Sequence, residues 1–238
     1  LTSAFFQQSS FATKAIVGEA NLVRIDSDMS PSLVAALTCG VQTGAGAILN
    51  TFKVKRGEPL AILGVGAVGL SAVMAAHHIG AYPIVALDLN QERLDLALEL
   101  GATHAFNAAD HAAVENAHKV MPSGAAYVLE TSASVKALEQ AIELLGQGGT
   151  VGIVAPPAGG KPFSFNGAAL FYKVGRLECI VQGSSVAREF IPELIALHDA
   201  GRFPFERLIT NYPLSEIENA FKDAQTGKAI KPVICMDE

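Results

Sequence analysis

The sequence predicts an α/β fold, a doubly wound parallel sheet, on three observations. An apolar run, Leu60 to Leu63, has the composition of a strand buried on both faces and leads straight into Gly64-Val65-Gly66-Ala67-Val68-Gly69 and an alanine-rich helical segment. A second apolar run, Pro83 to Leu87, ends in Asp88, nineteen residues past Gly69. Strand-like and helix-like stretches then alternate as far as Ala155, as parallel strands joined by right-handed crossovers do.

The glycines of the first turn have separate uses. Gly64 lets the chain turn tightly off the strand, Gly66 leaves no Cβ in the way of a pyrophosphate, and Gly69 lets the following helix lie close on the sheet. Val65, Ala67 and Val68 complete a loop whose backbone N–H groups open a helix, where the dipole favours an anion. An acid at the end of the second strand accepts hydrogen bonds from a ribose diol and repels the extra phosphate of NADP, so Asp88 points to NAD. The competing role for Asp88 is a plain helix cap. In a sheet of this kind the ligand sits at the carboxyl ends of the strands, where Gly64, Asp88, Thr131 and Val154 fall.

The remaining elements follow from local pattern. FATKAIV and NLVRID, within residues 11 to 26, read as two short strands, and Ser30-Pro31 as the start of a helix interrupted at Cys39-Gly40 and Gly44-Ala45-Gly46. Past Asp88 come a helix from Asn90 to Leu100 closed by Gly101, a strand at His104 to Phe106, a helix from Asp110 to Lys119 and a strand from Gly124 to Glu130. A helix from Ser134 to Leu145, a turn at Gly148-Gly149 and a fifth strand from Thr150 to Ala155 complete the alternation. Arg176 to Gln182 reads as a sixth strand and Val186 to Ala200 as a helix. A strand near Arg207 to Asn211, a helix with a Ser215/Glu218 capping box and a strand from Lys231 to Met236 close the chain. Residues 1–40 and 183–238 are expected to belong to a second unit, flanking a dinucleotide-binding domain at 41–182.

Composition narrows the partners. With 50% hydrophobic and 17% charged residues the chain has enough apolar surface for a covered sheet, and a net charge of −6 without a long basic run argues against nucleic acid. Neither an uninterrupted apolar stretch of about twenty residues nor a signal-peptide layout occurs, which argues against a membrane and for the cytoplasm. Three scattered cysteines agree with a reducing compartment. The chain opens with Leu1 in mid-pattern, as expected of a product that starts inside a longer polypeptide.

The succession FATKA, ALTCGVQTGAGA, AILGVGAVGLSAVMAA, ALDLNQERLDLALELGATHAFN, ETSAS, GGTVGIVAPP and TGKAIKPVI resembles the zinc-dependent alcohol dehydrogenases of the medium-chain dehydrogenase/reductase superfamily. It is most similar to their NAD-dependent aryl-alcohol (benzyl alcohol) branch. The resemblance implies a Rossmann domain with parts of a GroES-like catalytic domain, and hydride transfer from a primary, aromatic alcohol to NAD with zinc assistance. By position it implies Cys39 as a ligand of the catalytic zinc, Thr43 beside the nicotinamide, and Gly64 to Gly69 under the pyrophosphate. It further implies Asp88 and Arg93 at the adenosine ribose, Val154, Ala155 and Gln182 offering backbone groups to the carboxamide, and Lys231 near the pyrophosphate. Segment 160–182 corresponds to the strand that pairs two such domains across a two-fold axis, so a homodimer or homotetramer is expected.

The family's Gly-His-Glu zinc motif and four-cysteine lobe are not found in the sequence. Cys39 alone cannot supply the three protein ligands that a catalytic zinc requires. As it stands the chain is expected to bind NAD with little or no turnover. The alternatives are a dimer-forming, dinucleotide-binding module and a zinc-free quinone or enoyl reductase of the same superfamily, the second disfavoured by Cys39.

Overall fold

Side chains of the first apolar run alternate between two cores, Leu60 and Ile62 into one and Ala61 and Leu63 into the other, so this strand is covered on both faces. The computed structural model describes residues 11–157 and 162–236. In chain order the elements are α1 (Pro31–Phe52), β1 (Leu60–Leu63), α2 (Ala67–Ile79), β2 (Ile84–Asp88), α3 (Gln91–Glu99), β3 (His104–Asn107), α4 (Ala113–Val120) and β4 (Ala125–Glu130). They continue with α5 (Val135–Leu144), β5 (Leu145–Ile153), α6 (Gly167–Tyr172), β6 (Arg176–Cys179), α7 (Ala187–Asp199), β7 (Ile209–Pro213), α8 (Ile217–Thr226) and β8 (Lys231–Cys235).

Six parallel strands pair in the order β3-β2-β1-β4-β5-β6, and β7 and β8 make a separate parallel pair. This is the doubly wound parallel sheet, with its order reversing between β1 and β4. One face carries α1, α2 and α7, with Ile48, Met74 and Leu194 in the shared core; the other carries α4 and α5, with Ala117, Leu138 and Ile142. The crevice at the switch point therefore opens beside the glycine turn.

Five expectations need correction, the end of β6 among them. Residues 11 to 26 form no strand; the stretch holds only a short 3₁₀ turn at Glu19–Asn21, and Ile16 is 98% exposed, because alternation without a neighbouring backbone cannot make a ladder. The helix over residues 31 to 52 is continuous, with π-helical turns at Leu37–Val41 and Ala47–Phe52. Its glycines serve close packing: a Cβ on Gly44 would lie 2.0 Å from the Val68 carbonyl oxygen, and one on Gly46 would lie 2.5 Å from that of Gly183. β5 starts at Leu145, because Ala125 pairs with Leu145 while Tyr127 pairs with Thr150, so the expected turn at Gly148-Gly149 is a bulge inside the strand. Ser215 caps nothing: a 3₁₀ turn, Leu214–Glu216, precedes α8, whose N-cap position is Glu216 without a side-chain bond.

β6 also ends three residues early. Gln182, Gly183 and Ser184 take φ of 52°, 63° and 50°, a left-handed run that turns the chain back onto α1. Helix α1 is long and apolar enough to cross a membrane, yet just over half of its apolar window is buried, with Gln42 and Thr43 among its buried residues. It packs here as a core helix.

Gly44→Ala should lower stability by about 1–3 kcal/mol or more, because the added methyl meets backbone that cannot rotate away. Urea unfolding measures it, and an unchanged midpoint would show that the α1/α2 contact is looser than described.

Candidate functional site

The turn after β1 is built around clearances a side chain would close. Gly64 takes φ of 85°, and a Cβ on it would sit 2.7 Å from Thr131 Oγ1. A Cβ on Gly69 would lie 2.0 Å from the Gly64 carbonyl oxygen, so the first turn of α2 rests directly on the strand end. A Cβ on Gly66 would meet nothing within 4 Å. Of these three glycines Gly66 alone has open space around it, and it lies at the start of α2, where no side chain caps the first N–H groups.

Two polar side chains from neighbouring strands hold this turn. Asp88, at the end of β2, accepts from the Val65 backbone N–H through Oδ2 at 2.6 Å and from the Asn90 N–H through Oδ1 at 2.9 Å. Thr131, just past β4, donates its hydroxyl to the Gly64 carbonyl at 2.6 Å. The cap of α3 is Asn90, whose Oδ1 accepts from the Arg93 N–H at 3.2 Å, so Asp88 is not that cap. A carboxylate has about four acceptor sites, which leaves room for a diol beside the two backbone donors.

A cleft of about 710 Å³ opens over these residues, lined by Gly64, Gly66, Asp88, Arg93, Thr131 and Thr226 among others. Arg93 Nε is buried without a hydrogen-bond partner, and a Cβ on Gly227 would lie 3.0 Å from Arg93 Nη2, so the turn after α8 closes this end of the cleft. Ala67 and Val68 line the cleft as well, whereas Val65 is fully buried and contributes its backbone to the Asp88 bond.

Residues of α1 gather beside the start of α2, outside the lining of this cleft. Gly40 packs against Ala67 and Val68, which brings the π turn holding Cys39 to the start of α2. Cys39 is exposed, Thr43 is buried one turn further on, and Gln182 lies between helix and loop. Gln182 accepts from Gln42 Nε2 at 2.7 Å through Oε1 and reaches Cys39 Sγ at 3.8 Å through Nε2. Gln42 Oε1 is buried and unpartnered.

Gly69, Cys39, Thr43 and Gln182 are not among the residues lining the cleft, and three further predicted residues stand apart from it. Val154 and Ala155 follow β5 half-buried, the Val154 N–H bonded to the Glu130 carbonyl at 3.3 Å, and Lys231 opens β8; none of the three lines the cleft. Conversely, Lys136 and Gln140 of α5 line it, although nothing in the helical pattern of residues 134 to 145 singles them out. Glu130 appears in the sequence as the end of a strand. The polar run Glu130-Thr131-Ser132-Ala133-Ser134, straight after an apolar strand, was the available signal.

The residues fit a dinucleotide: an open backbone cradle at a helix start, a carboxylate beside it and an orphaned buried guanidinium nitrogen. They do not fit zinc. Among the described residues no three of His, Cys, Asp and Glu gather, and the partner of Cys39 is an amide.

Residues 67–199, more than half of the sequence, match the family model described as zinc-binding dehydrogenase. The chain belongs to that family. It is 40% identical to the geraniol dehydrogenase of Castellaniella defragrans over 233 residues, covering 98% of the chain and 62% of that protein. A benzyl alcohol dehydrogenase structure from Acinetobacter calcoaceticus superposes with a TM-score of 0.94 at 38% identity, covering 98% of the chain and 64% of that one. A zinc-binding domain protein of the alcohol dehydrogenase type from Burkholderia ambifaria also gives 0.94, at 42% identity, covering 98% of the chain and 63% of that one. The chain spans about 62% of the length of curated relatives such as these.

Burial pushes the Glu130 carboxyl above the usual carboxylate range, opposed by hydrogen bonds from Ser132 and Ala133. The folded state then holds this proton more tightly than the unfolded chain, so its contribution to stability is largest at low pH and declines as pH rises from the ordinary value toward the raised one. Urea midpoints measured across that window should show the component in the wild-type protein and lack it in Glu130→Gln. Identical pH curves would show that Glu130 titrates normally.

Proposed function

We propose that the chain binds NAD across the β1/β4 crevice and serves an alcohol dehydrogenase that oxidises primary alcohols. The observation that carries the reading is the pairing of an open Gly66 at a helix start with Asp88 tied to the same turn. The diphosphate would rest on the N–H groups of residues 66 to 69, the adenosine ribose on Asp88 with Arg93 closing over it, and the nicotinamide would extend toward Thr43 and Gln182. NAD supplies the chemistry by accepting a hydride from the carbinol carbon; the protein orients it and, through the negative charge of Asp88, opposes a 2′-phosphate.

The names of two relatives, a geraniol and a benzyl alcohol dehydrogenase, both denote primary alcohols whose carbinol carbon is bonded to an unsaturated carbon. That supports an aromatic or allylic alcohol and its aldehyde as the substrate pair. Zinc assistance, with Cys39 as one ligand, would need further ligands beyond the described residues. A cytoplasmic setting is supported by the three free cysteines.

Pairing of two copies through β6 is part of the same reading. This edge strand is exposed along its length and continues into Val181, 73% exposed, with Phe171 and Tyr172 beside it at 77% and 76%. An uncovered edge flanked by apolar side chains suits an isologous dimer. Analytical ultracentrifugation should give a dimer or tetramer, and Val181→Glu should shift the mass toward monomer; an unchanged mass would place the interface elsewhere.

Calorimetric titration tests the cofactor. Wild-type protein should bind NAD and discriminate against NADP, and Asp88→Ala should raise Kd for NAD roughly tenfold or more while narrowing the discrimination. The same variant should melt lower, since the Val65 N–H loses its acceptor. An unchanged preference between the two nucleotides would limit Asp88 to holding the turn.

A further inference from the structure

Glu130 is a fully buried carboxylate at the end of the central strand β4, paired in register with Leu63 of β1 and Ile153 of β5. A buried ionised group is costly unless its lone pairs are used. Its partners come from the turn that follows Thr131. Oε1 accepts from the Ser132 backbone N–H at 2.6 Å and from the Ser132 hydroxyl at 2.5 Å, and Oε2 accepts from the Ala133 N–H at 3.2 Å.

This folds the chain back on itself. Ala133 is forced to φ of 56°, a region that a non-glycine residue occupies only when its surroundings demand it. Beyond it, the Ser134 N–H donates to Ser132 Oγ at 3.3 Å and Ser134 Oγ caps α5 by accepting from the Ala137 N–H at 3.4 Å. Thr131 is the residue enclosed by this turn, and its hydroxyl reaches the Gly64 carbonyl at 2.6 Å and the Leu63 carbonyl at 3.2 Å. Glu130 itself does not line the cleft, while Thr131, Ser132 and Ser134 do.

We infer that Glu130 is a positioning residue for the cofactor: its buried carboxylate sets the 131–134 turn, and through Thr131 it fixes the carbonyl of Gly64 on which the diphosphate seat is built. The inference rests on the NAD reading above and extends it to a residue that touches no ligand. The alternative is that Glu130 contributes only to fold stability. In that case its replacement changes melting and leaves cofactor affinity alone.

Calorimetric titrations with NAD of wild type, Glu130→Gln, Thr131→Val and the double variant separate these. Glutamine keeps the size and one acceptor but turns an amide N–H₂ toward backbone donors, so the turn loses at least one bond. Each single variant should raise Kd roughly tenfold, and the double variant should be little worse than either, because both break one chain of contacts. Where turnover is measured, KM for NAD should rise while kcat at saturating NAD stays. Ser132→Ala, which keeps the carboxylate and removes one donor, should raise Kd roughly twofold to threefold and decides the matter if Glu130→Gln does not fold.

A folded Glu130→Gln with wild-type Kd would overturn the inference, as would fully multiplicative effects of the Glu130 and Thr131 changes. With Glu130→Gln unfolded, an unchanged Kd in Ser132→Ala would do the same. Absence of NAD binding by the wild-type protein would sink the cofactor reading itself and this inference with it, so the two failures are told apart by the first titration.

Discussion

Three strand ends are joined at one point of this molecule, and the cleft depends on that junction. The carboxylate of Asp88 from β2 takes the Val65 N–H, and the hydroxyl of Thr131 past β4 takes the Gly64 carbonyl, both at 2.6 Å, while the backbone between them leaves β1 to enter α2. A parallel sheet holds its strands by ladders that stop where the strands stop. One ladder bond reaches past Leu63, from the Gly64 N–H to the Leu87 carbonyl at 2.8 Å, and beyond it the turn is held by side-chain chemistry from its two neighbours. That is why Asp88 and Thr131 stand at the ends of the two neighbouring strands, and why a residue as costly to bury as Glu130 is found one position before Thr131.

The same economy of space governs the helices around it. Helix α1 approaches α2 closely because Gly44 leaves room for the Val68 carbonyl, and it approaches the 182–184 turn because Gly46 faces Gly183. Those two contacts bring Cys39, Gln42, Thr43 and Gln182 together beside the start of α2. At the opposite end Gly227, with φ of 81°, lets the loop after α8 pass over the Arg93 guanidinium. The end of α8 and the turn after it, Gln225 to Gly227, thereby lend a wall to a cleft that the strand ends and the starts of α2, α3 and α5 otherwise line.

What could be read from sequence was what local patterns decide. The two-faced burial of Leu60 to Leu63, the glycine turn, the acid ending β2, the Asn90 start and Gly101 end of α3 each follow from residues adjacent in the chain. Misreadings arose where a distant partner decides. The glycines of α1 look like helix breaks until Val68 and Gly183 are seen against them, and Gly148-Gly149 looks like a turn until β4 sets the register of β5. Residues 11 to 26 alternate as strands do but meet no pairing backbone among the described residues. Glu130 could not be singled out because a carboxylate at a strand end is ordinary when exposed; its complete burial belongs to the three-dimensional fold.

Family membership fits this picture without replacing it, since the matched residues, 67–199, include α2, Asp88 and the Glu130 turn but begin after Gly66. The central physical claim is that the N–H groups of residues 66 to 69 form the diphosphate seat. Amide hydrogen exchange with and without NAD tests it most directly. Exchange at Gly66, Ala67, Val68 and Gly69 should slow markedly on adding the nucleotide, with Val65 already slow through its bond to Asp88. Unchanged exchange in that stretch, with protection appearing elsewhere on the molecule, would contradict the account.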